Sequence, residues 1–430
     1  MAFSELKQVC QKMLPLILVT ATLSGCQEEV PLQNDARANL IATAKASAPT
    51  EPRCHFMQDT PYHNIALTCV ELVYDEVTPL TTEAVPSLMG LAFDSNNTLY
   101  MARTALNEIW TMQDTDSDHF MDKTVLYASD LDLPVSLTVY KEAVYVRTAN
   151  SVIRLVDVDQ DGQADQRTIL VDSLPTGTGF WGGSIGIGPD ERLYISVGAN
   201  CNACVQADKR RGALISYALD GSDERIEANG FRFPSDFAWD PDTGELWIVD
   251  NERFVPGLEI NGPPDELNRF APGANYGFPY CYGDLETDKM LRPETDDFCA
   301  TTQAPVVQFP YQSRPSGIAF YSGSAFPFWT KNLIVVWAGS NNVAEPAGYA
   351  VVVVGFTDGQ PNQTLEYIAP TWPLPPDEES SVQLNTTGKG LFPYHPVDVV
   401  VSPEGWIYVS FQEGRILRFR RRSMADIVTG

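Results

Sequence analysis

The amino-acid sequence predicts an all-β chain folded as a six-bladed β-propeller. Three observations predict it: a strand-turn-strand pattern that returns six times, turn residues spread along the whole chain (Gly 30, Pro 31), and weak helical periodicity. With hydrophobic residues at 44% of 430, the chain can bury a large core as one all-β domain.

Each return consists of a small or acidic residue, three apolar positions, a turn and a second apolar strand. The units begin at Gly90 (GLAFDSNNTLYMAR), Ser136 (SLTVYKEAVYVRT), Ser184 (SIGIGPDERLYISVG), Asp236 (DFAWDPDTGELWIVD), Gly317 (GIAFYSGSAFPFWTKNLIVVW) and Asp398 (DVVVSPEGWIYVSF). Successive starts lie 46, 48, 52, 81 and 81 residues apart. A four-stranded blade repeats at about 40–50 residues, so the two long intervals carry insertions or functional loops. Inside each unit the strands are β-branched and aromatic, and Asp-Gly, Pro-Asp or Asn-Asn turns join them. Six such units packed face to face leave only short, protected edges.

Ahead of the units stand a leader and a tether. Lys7 and Lys12 precede the apolar run MLPLILVTATL, which ends in Leu23-Ser24-Gly25-Cys26. A basic start and a short apolar run read as a secretory signal over residues 1–25, too short to span a bilayer. The ending resembles a bacterial lipobox, which implies lipidation at Cys26, a polar tether over residues 26–52 and a propeller over residues 53–430. The expected location is the cell envelope, lipid-anchored on the periplasmic face of a bacterial membrane. A net charge of −27 argues against a nucleic-acid partner, because phosphate binding needs clustered Lys and Arg. The same charge suits a chain that holds cations, or one whose acidic surface only confers solubility.

Of eight cysteines, Cys10 leaves with the leader and Cys26 takes lipid. The remaining six fall into sequence neighbours, giving the expected disulfides Cys54–Cys69, Cys201–Cys204 and Cys281–Cys299. Six cysteines allow 15 connectivities, and a metal site is the alternative for the Cys201, Cys204 pair.

Two acidic loops lie 43 residues apart, one from Asp114 to Asp122 and one from Asp157 to Asp165. In the second, Asp157, Asp159, Asp161 and Asp165 alternate on a tight turn with Gly162, a pattern that can aim oxygens at Ca²⁺. The first loop has His119 where the second has its glycine. Neither carries the distant Glu of an EF-hand, and both also fit ordinary Asx-rich hairpins at a blade edge.

Five stretches, in order, resemble the glucose/sorbosone dehydrogenase family. They are IGPDERLYISVGANCNAC, NGFRFPSDFAWDPDTGELWIVDNER, PPDELNRFAPGANYGFPYCYG, RPSGIAFYSGSAFP and HPVDVVVSPEGWIYVS. The resemblance runs over most of residues 85 to 420, and the run DELN to NYGFPYCYG is its most specific part. It implies a propeller that oxidises an aldose or related sugar by hydride transfer to pyrroloquinoline quinone, with a membrane electron acceptor as a further partner. In such a site the cofactor performs the redox chemistry, while the protein supplies cations for its carboxylates, Ca²⁺ and a His base.

Carried over position by position, the resemblance assigns Arg232 and Arg253 to the cofactor, and Gly262, Pro263, Glu266 and Tyr276 to Ca²⁺. His395 stands where the family often has an arginine facing the cofactor, and Arg314, where the family usually has alanine, either restores one positive charge there or is a surface residue. It also meets departures. Phe180 occupies the base position, and a phenyl ring accepts no proton. The family's HGSWNR element becomes Ala338-Gly-Ser-Asn-Asn-Val343, without its His and Arg. Two functions therefore stay open: an enzyme using His395 or Asp236 as its base, or a non-catalytic propeller that holds a sugar or a protein partner at the channel mouth. The FWGG run at 180–183 suits sugar stacking.

Overall fold

A computed structural model describes residues 68–75, 85–117, 119–176, 182–257, 262–293, 295–340, 347–369, 391 and 394–421. The leader, Cys26, Cys54 and Phe180 lie outside the described residues. Six four-stranded antiparallel sheets form the blades of a propeller, and no α-helix occurs among the described residues. The inner strands of blades 1 to 6 are Leu91–Phe93, Ser136–Tyr140, Ile185–Ile187, Pro234–Trp239, Pro315–Phe320 and Pro396–Val401. These coincide with the six units found in the sequence.

The pattern works because each blade buries both faces. Every one of the six interfaces between neighbouring blades has its own apolar cluster. Between blades 4 and 5, for example, Trp247, Val249 and Leu267 pack against Ile318, Val335 and Trp337. The second strands, such as Leu193–Val197, Leu246–Asp250 and Leu333–Trp337, are buried along their whole length and so read as near-continuous apolar runs, broken only by Ser196 and the closing Asp250. Toward the axis the inner strands come too close for side chains at some positions. A Cβ on Gly90 would sit 2.8 Å from the Ser136 Cα, and one on Gly317 would sit 2.7 Å from the Asp398 Cα.

Polar side chains lace the inner strands together. Asp236 of blade 4 accepts the Ile318 N–H of blade 5 at 2.7 Å. Asp398 of blade 6 accepts the Leu91 N–H of blade 1, also at 2.7 Å. Ring closure comes from the N-terminal strand Thr68–Asp75, which pairs with Arg415–Arg421 as the outermost strand of blade 6. Buried Glu71 receives both Arg418 and Arg420 there, Arg420 Nε at 2.8 Å.

Both disulfides that lie within the described residues match expectation, Cys201–Cys204 and Cys281–Cys299. The first of these excludes the metal alternative for that pair. Cys69 is disulfide-bonded to a partner outside the described residues. No helix among the described residues is long and apolar enough to cross a membrane.

Removing Glu71 leaves two buried guanidiniums without their shared carboxylate. Breaking a buried ion pair costs about 3–5 kcal/mol. Glu71→Ala is expected to lower unfolding stability by about that amount. Denaturant melts that leave the midpoint unchanged would remove this ion pair from the closing mechanism.

Candidate functional site

In blades 4, 5 and 6 the first residue of the inner strand pairs with the last of the second strand: Pro234 with Asp250, Pro315 with Trp337, Pro396 with Phe411. The loops preceding these inner strands and following these second strands therefore meet at one end of the propeller. Nearly all the chemistry-bearing side chains predicted from the resemblance gather there.

At that end of blade 4, Asp250 stands directly opposite Glu266 in the strand register. Like charges directly opposite on paired strands destabilise a sheet. Glu252 joins them, and oxygens of Asp250, Glu252 and Glu266 all lie within 4.8 Å of one another in a fully buried setting. Local donors hold the arrangement. Asp250 accepts the Arg232 and Phe233 N–H groups at 2.9 and 2.7 Å, Glu266 accepts the Gly283 N–H at 2.9 Å, and Glu252 accepts the Arg253 N–H at 3.2 Å. Asn268, also buried, donates to Glu266 at 3.1 Å. A fourth acid, Asp265, is capped by the N–H groups of Glu252 and Arg314, both at 2.8 Å.

Burial is the main cause that drives these carboxyls toward their protonated forms: Asp265 to about 6, Asp250 to about 7, Glu266 to about 8, and Glu252 well above its ordinary range. The charges of Glu266 and Asp250 add to the effect on Glu252.

The predicted arginines divide. Arg232 is buried and gives its side chain to the chain itself, with Nη1 on the Asn251 carbonyl at 2.9 Å, and Nε and Nη2 on Asn202 at 3.1 and 2.8 Å. Asn202 lies in the loop closed by Cys201–Cys204, so that disulfide braces Arg232. Arg253 pairs with buried Asp288. Arg314 is solvent-exposed, and its Nη1 lies 3.3 Å from the Gly339 carbonyl. Its backbone is left-handed at φ 54, a conformation costing about 1–3 kcal/mol in a non-glycine residue. Asp265 pins it there through the Arg314 N–H.

In blade 6, His395 precedes the inner strand and Glu413 follows the second. His395 Nδ1 lies 2.7 Å from Glu413 Oε1, with the Gln412 amide 2.9 Å from the same nitrogen. Nε2 faces the Tyr349 hydroxyl of blade 5 at 3.4 Å. An imidazole whose Nδ1–H is given to a carboxylate keeps Nε2 free to take a proton. A chain of contacts thus runs from the carboxylates through Asp265 and Arg314 to Gly339, and from Tyr349 to His395.

Two sequence assignments change. The Tyr276 hydroxyl donates to the Arg269 carbonyl at 2.7 Å and accepts the Ala271 N–H at 2.9 Å, so it does not join Glu266. Asp250 and Glu252, which sequence reasoning missed, are the residues that bring carboxylate oxygens within 4.8 Å of Glu266. Asp236 is buried and tied to Ile318, serving the ring rather than the mouth. Gly262 lies against the Tyr311 ring, where a Cβ would be 2.3 Å away, and Pro263 beside it is buried.

In the acidic loop of blade 2, oxygens of Asp157, Asp159 and Asp165 come together, but Asp161 does not join them. Asp157 already accepts the Gly162 N–H at 2.8 Å, and Asp165 accepts the Val158 N–H at 2.7 Å. The blade 1 loop repeats this wiring, with Asp114 accepting the Ser117 and His119 N–H groups at 2.7 and 2.8 Å. His119 there takes φ 76 where Gly162 takes φ 95. Backbone wiring therefore accounts for the aspartate pattern in both loops.

Acids that bind protons more tightly in the fold than in the unfolded chain lose stability as pH rises between the two pKa values. Here that window runs from about 4, the ordinary carboxylate value, to about 8, where Glu266 titrates, with Glu252 also held well above its ordinary range. In a chelator, the melting temperature is expected to fall from about pH 5 to pH 8, with Ca²⁺ restoring it most at the upper end. A flat pH profile with no Ca²⁺ effect would count against a charged cluster at this place.

Comparison with known proteins gives matches of three kinds. Residues 134–345 match the family model described as Glucose / Sorbosone dehydrogenase, and residues 393–419 a model for the N-terminal part of strictosidine synthase-like proteins. The chain is 29% identical over 206 residues to the aldose sugar dehydrogenase YliI of Escherichia coli strain K12, covering 44% of this chain and 53%, about half, of that relative. Solved iodide and calcium structures of a Trichoderma reesei family AA12 carbohydrate-active enzyme align with TM-scores of 0.69 and 0.68 at 19% and 18% identity, each over 84% of this chain and 98% of that one. The holo form of the pyranose dehydrogenase PQQ domain from Coprinopsis cinerea aligns at 0.65 and 18% identity, over 82% of this chain and 95% of its own. At such identities the structural likenesses are likenesses of fold.

Proposed function

Since residues 134–345 make this chain a member of the glucose/sorbosone dehydrogenase family, we propose that it is a Ca²⁺- and pyrroloquinoline quinone-dependent sugar dehydrogenase acting at the mouth of blades 4 to 6. The observation that carries the proposal is the cross-strand pair Asp250 and Glu266, with Glu252 beside them, placed on one continuous chain of contacts with Arg314 and on the same mouth as His395. The donor set is all carboxylate oxygen, which suits a hard divalent cation. Asp250, Glu252 and Glu266 would hold Ca²⁺. Arg314, exposed and with guanidinium nitrogens beyond the one on Gly339, would meet a carboxylate of the quinone.

When bound, the quinone supplies the hydride acceptor. The chain's own residues handle the proton. His395 Nε2 accepts it from the sugar hydroxyl. Glu413 fixes the imidazole tautomer and stabilises the imidazolium that forms, and Tyr349 sets the ring from the other side. The apolar start of the chain and Cys26 support a lipid-anchored protein of the cell envelope that hands electrons to a membrane acceptor.

The engagement of Arg232 and Arg253 within the chain leaves fewer cations for a tricarboxylate, and this favours weaker cofactor binding than the resemblance alone implies. It is also the observation behind the second function, a propeller that holds a saccharide without turning it over. Titrating the purified protein with Ca²⁺ and the quinone, then measuring aldose-dependent dye reduction, separates the two. His395→Asn is expected to reduce turnover by about 10²–10⁴-fold while leaving quinone binding in place. Absence of quinone binding at micromolar concentrations would leave the non-catalytic function standing.

A further inference from the structure

A cavity opens at the other end of the propeller, between blades 1 and 2. It is lined by the turns that follow their inner strands, around Asp94 to Thr98 and at Lys141 and Glu142, and by the acidic loop at Asp157 to Gly162. These turns lie at the far ends of the inner strands from the mouth described above. The cavity measures about 530 Å³, within the roughly 300–1,000 Å³ range of small-molecule sites.

Its walls combine two kinds of surface. The rings of Tyr100 and Tyr127 meet edge to face at 5.2 Å, and Val125 and Val144 continue the apolar side. Opposed to them are polar groups with unused capacity. The Tyr100 hydroxyl makes no hydrogen bond among the described residues. Asp94 engages only Oδ1, accepting the Asn96 and Thr98 N–H groups at 2.9 and 2.7 Å, so Oδ2 is left to accept another. Gln113 donates its amide nitrogen to Thr98 at 2.9 Å and keeps its carbonyl oxygen available. Lys123, exposed on the rim, has no ion pair among the described residues. Burial and the charges of Asp94 and Asp157 push the Tyr100 hydroxyl up to about 12, so it remains a donor at any physiological pH.

Aromatic faces beside uncommitted donors and acceptors suit a ligand whose carbons and hydroxyls alternate over a small volume. The lining carboxylates Asp94, Glu142 and Asp157 outnumber the lysines, and Lys141 is already paired with Glu191 at 2.8 Å, which disfavours an anion. We propose that this cavity between blades 1 and 2 is a binding site for a neutral mono- or disaccharide, separate from the channel mouth. It does not depend on the function assigned to that mouth.

Isothermal titration of the whole protein with D-glucose, cellobiose and maltose tests it, alongside D-glucuronate as the charged counterpart. At least one neutral sugar is expected to bind, and Tyr100→Phe combined with Asp94→Asn is expected to weaken it about tenfold, equal to about 1.4 kcal/mol. Asn at 94 retains an Oδ1 for the turn, so the fold should persist. Lys123→Ala, at an exposed position, supplies an independent variant expected to weaken binding several-fold. His395→Asn is expected to leave this binding unchanged, which assigns it to the cavity rather than the mouth. No binding by any neutral sugar at about 10 mM, binding insensitive to the cavity variants, or preference for glucuronate would each overturn the proposal.

Discussion

Ring closure at Glu71 is the constraint on which the rest of this structure depends. Each blade buries apolar faces on both sides, so no blade is complete until the last one meets the first. The strand Thr68–Asp75 completes blade 6, and one buried glutamate shared by Arg418 and Arg420 holds it in register. Asp398 then ties the inner strand of blade 6 to Leu91 of blade 1. The separation between residues of blades 4, 5 and 6 follows from this closed geometry, since those residues lie far apart in sequence and meet only because the ring turns them to one end.

Buried acids recur in two roles. Asp236, Asp265 and Asp398 each cap backbone N–H groups of the next blade, where a short carboxylate satisfies donors that a turn would leave unpaired. Asp250, Glu252 and Glu266 cap locally as well, but three mutually close carboxylates exceed what backbone caps require. That excess of negative charge in a dry place is the feature on which the proposed cation site rests. The acidic loop of blade 2 makes the contrast clear: its aspartates are exposed or, for Asp157, half-buried, and backbone donors already occupy them.

Much of the fold was legible from the chain. The alternation of turn and apolar strand located all six inner strands, because a propeller blade repeats one local pattern and each strand is buried by its neighbours in the same way. The pairs Cys201–Cys204 and Cys281–Cys299 followed from closeness in sequence. Within the site, Glu266 was visible through the family motifs, and Arg314 and His395 as charged departures from them. Asp250, Glu252, Tyr349 and Glu413 were not, since each acquires its role only through a partner on another strand or blade. A faint signal existed in Asp250-Asn-Glu252, one acid that ends a strand apolar in every preceding position and a second two residues beyond it.

The sequence alone determined the repeat, the turn chemistry, the acidic balance and the local disulfides, because each depends on neighbours a few residues apart. Only the tertiary structure decided which arginines remain available. Arg232 and Arg253 look equivalent to Arg314 as sequence, yet the first two are buried and engaged by Asn202, Asn251 and Asp288 while the third reaches solvent. It also decided that Asp250 faces Glu266, and that Tyr100 and Asp94 turn unused polar groups into a cavity. The physical reason is the same in each case. Whether a charge or a hydroxyl is free depends on what the rest of the ring brings within hydrogen-bond reach, and a linear pattern does not contain that information.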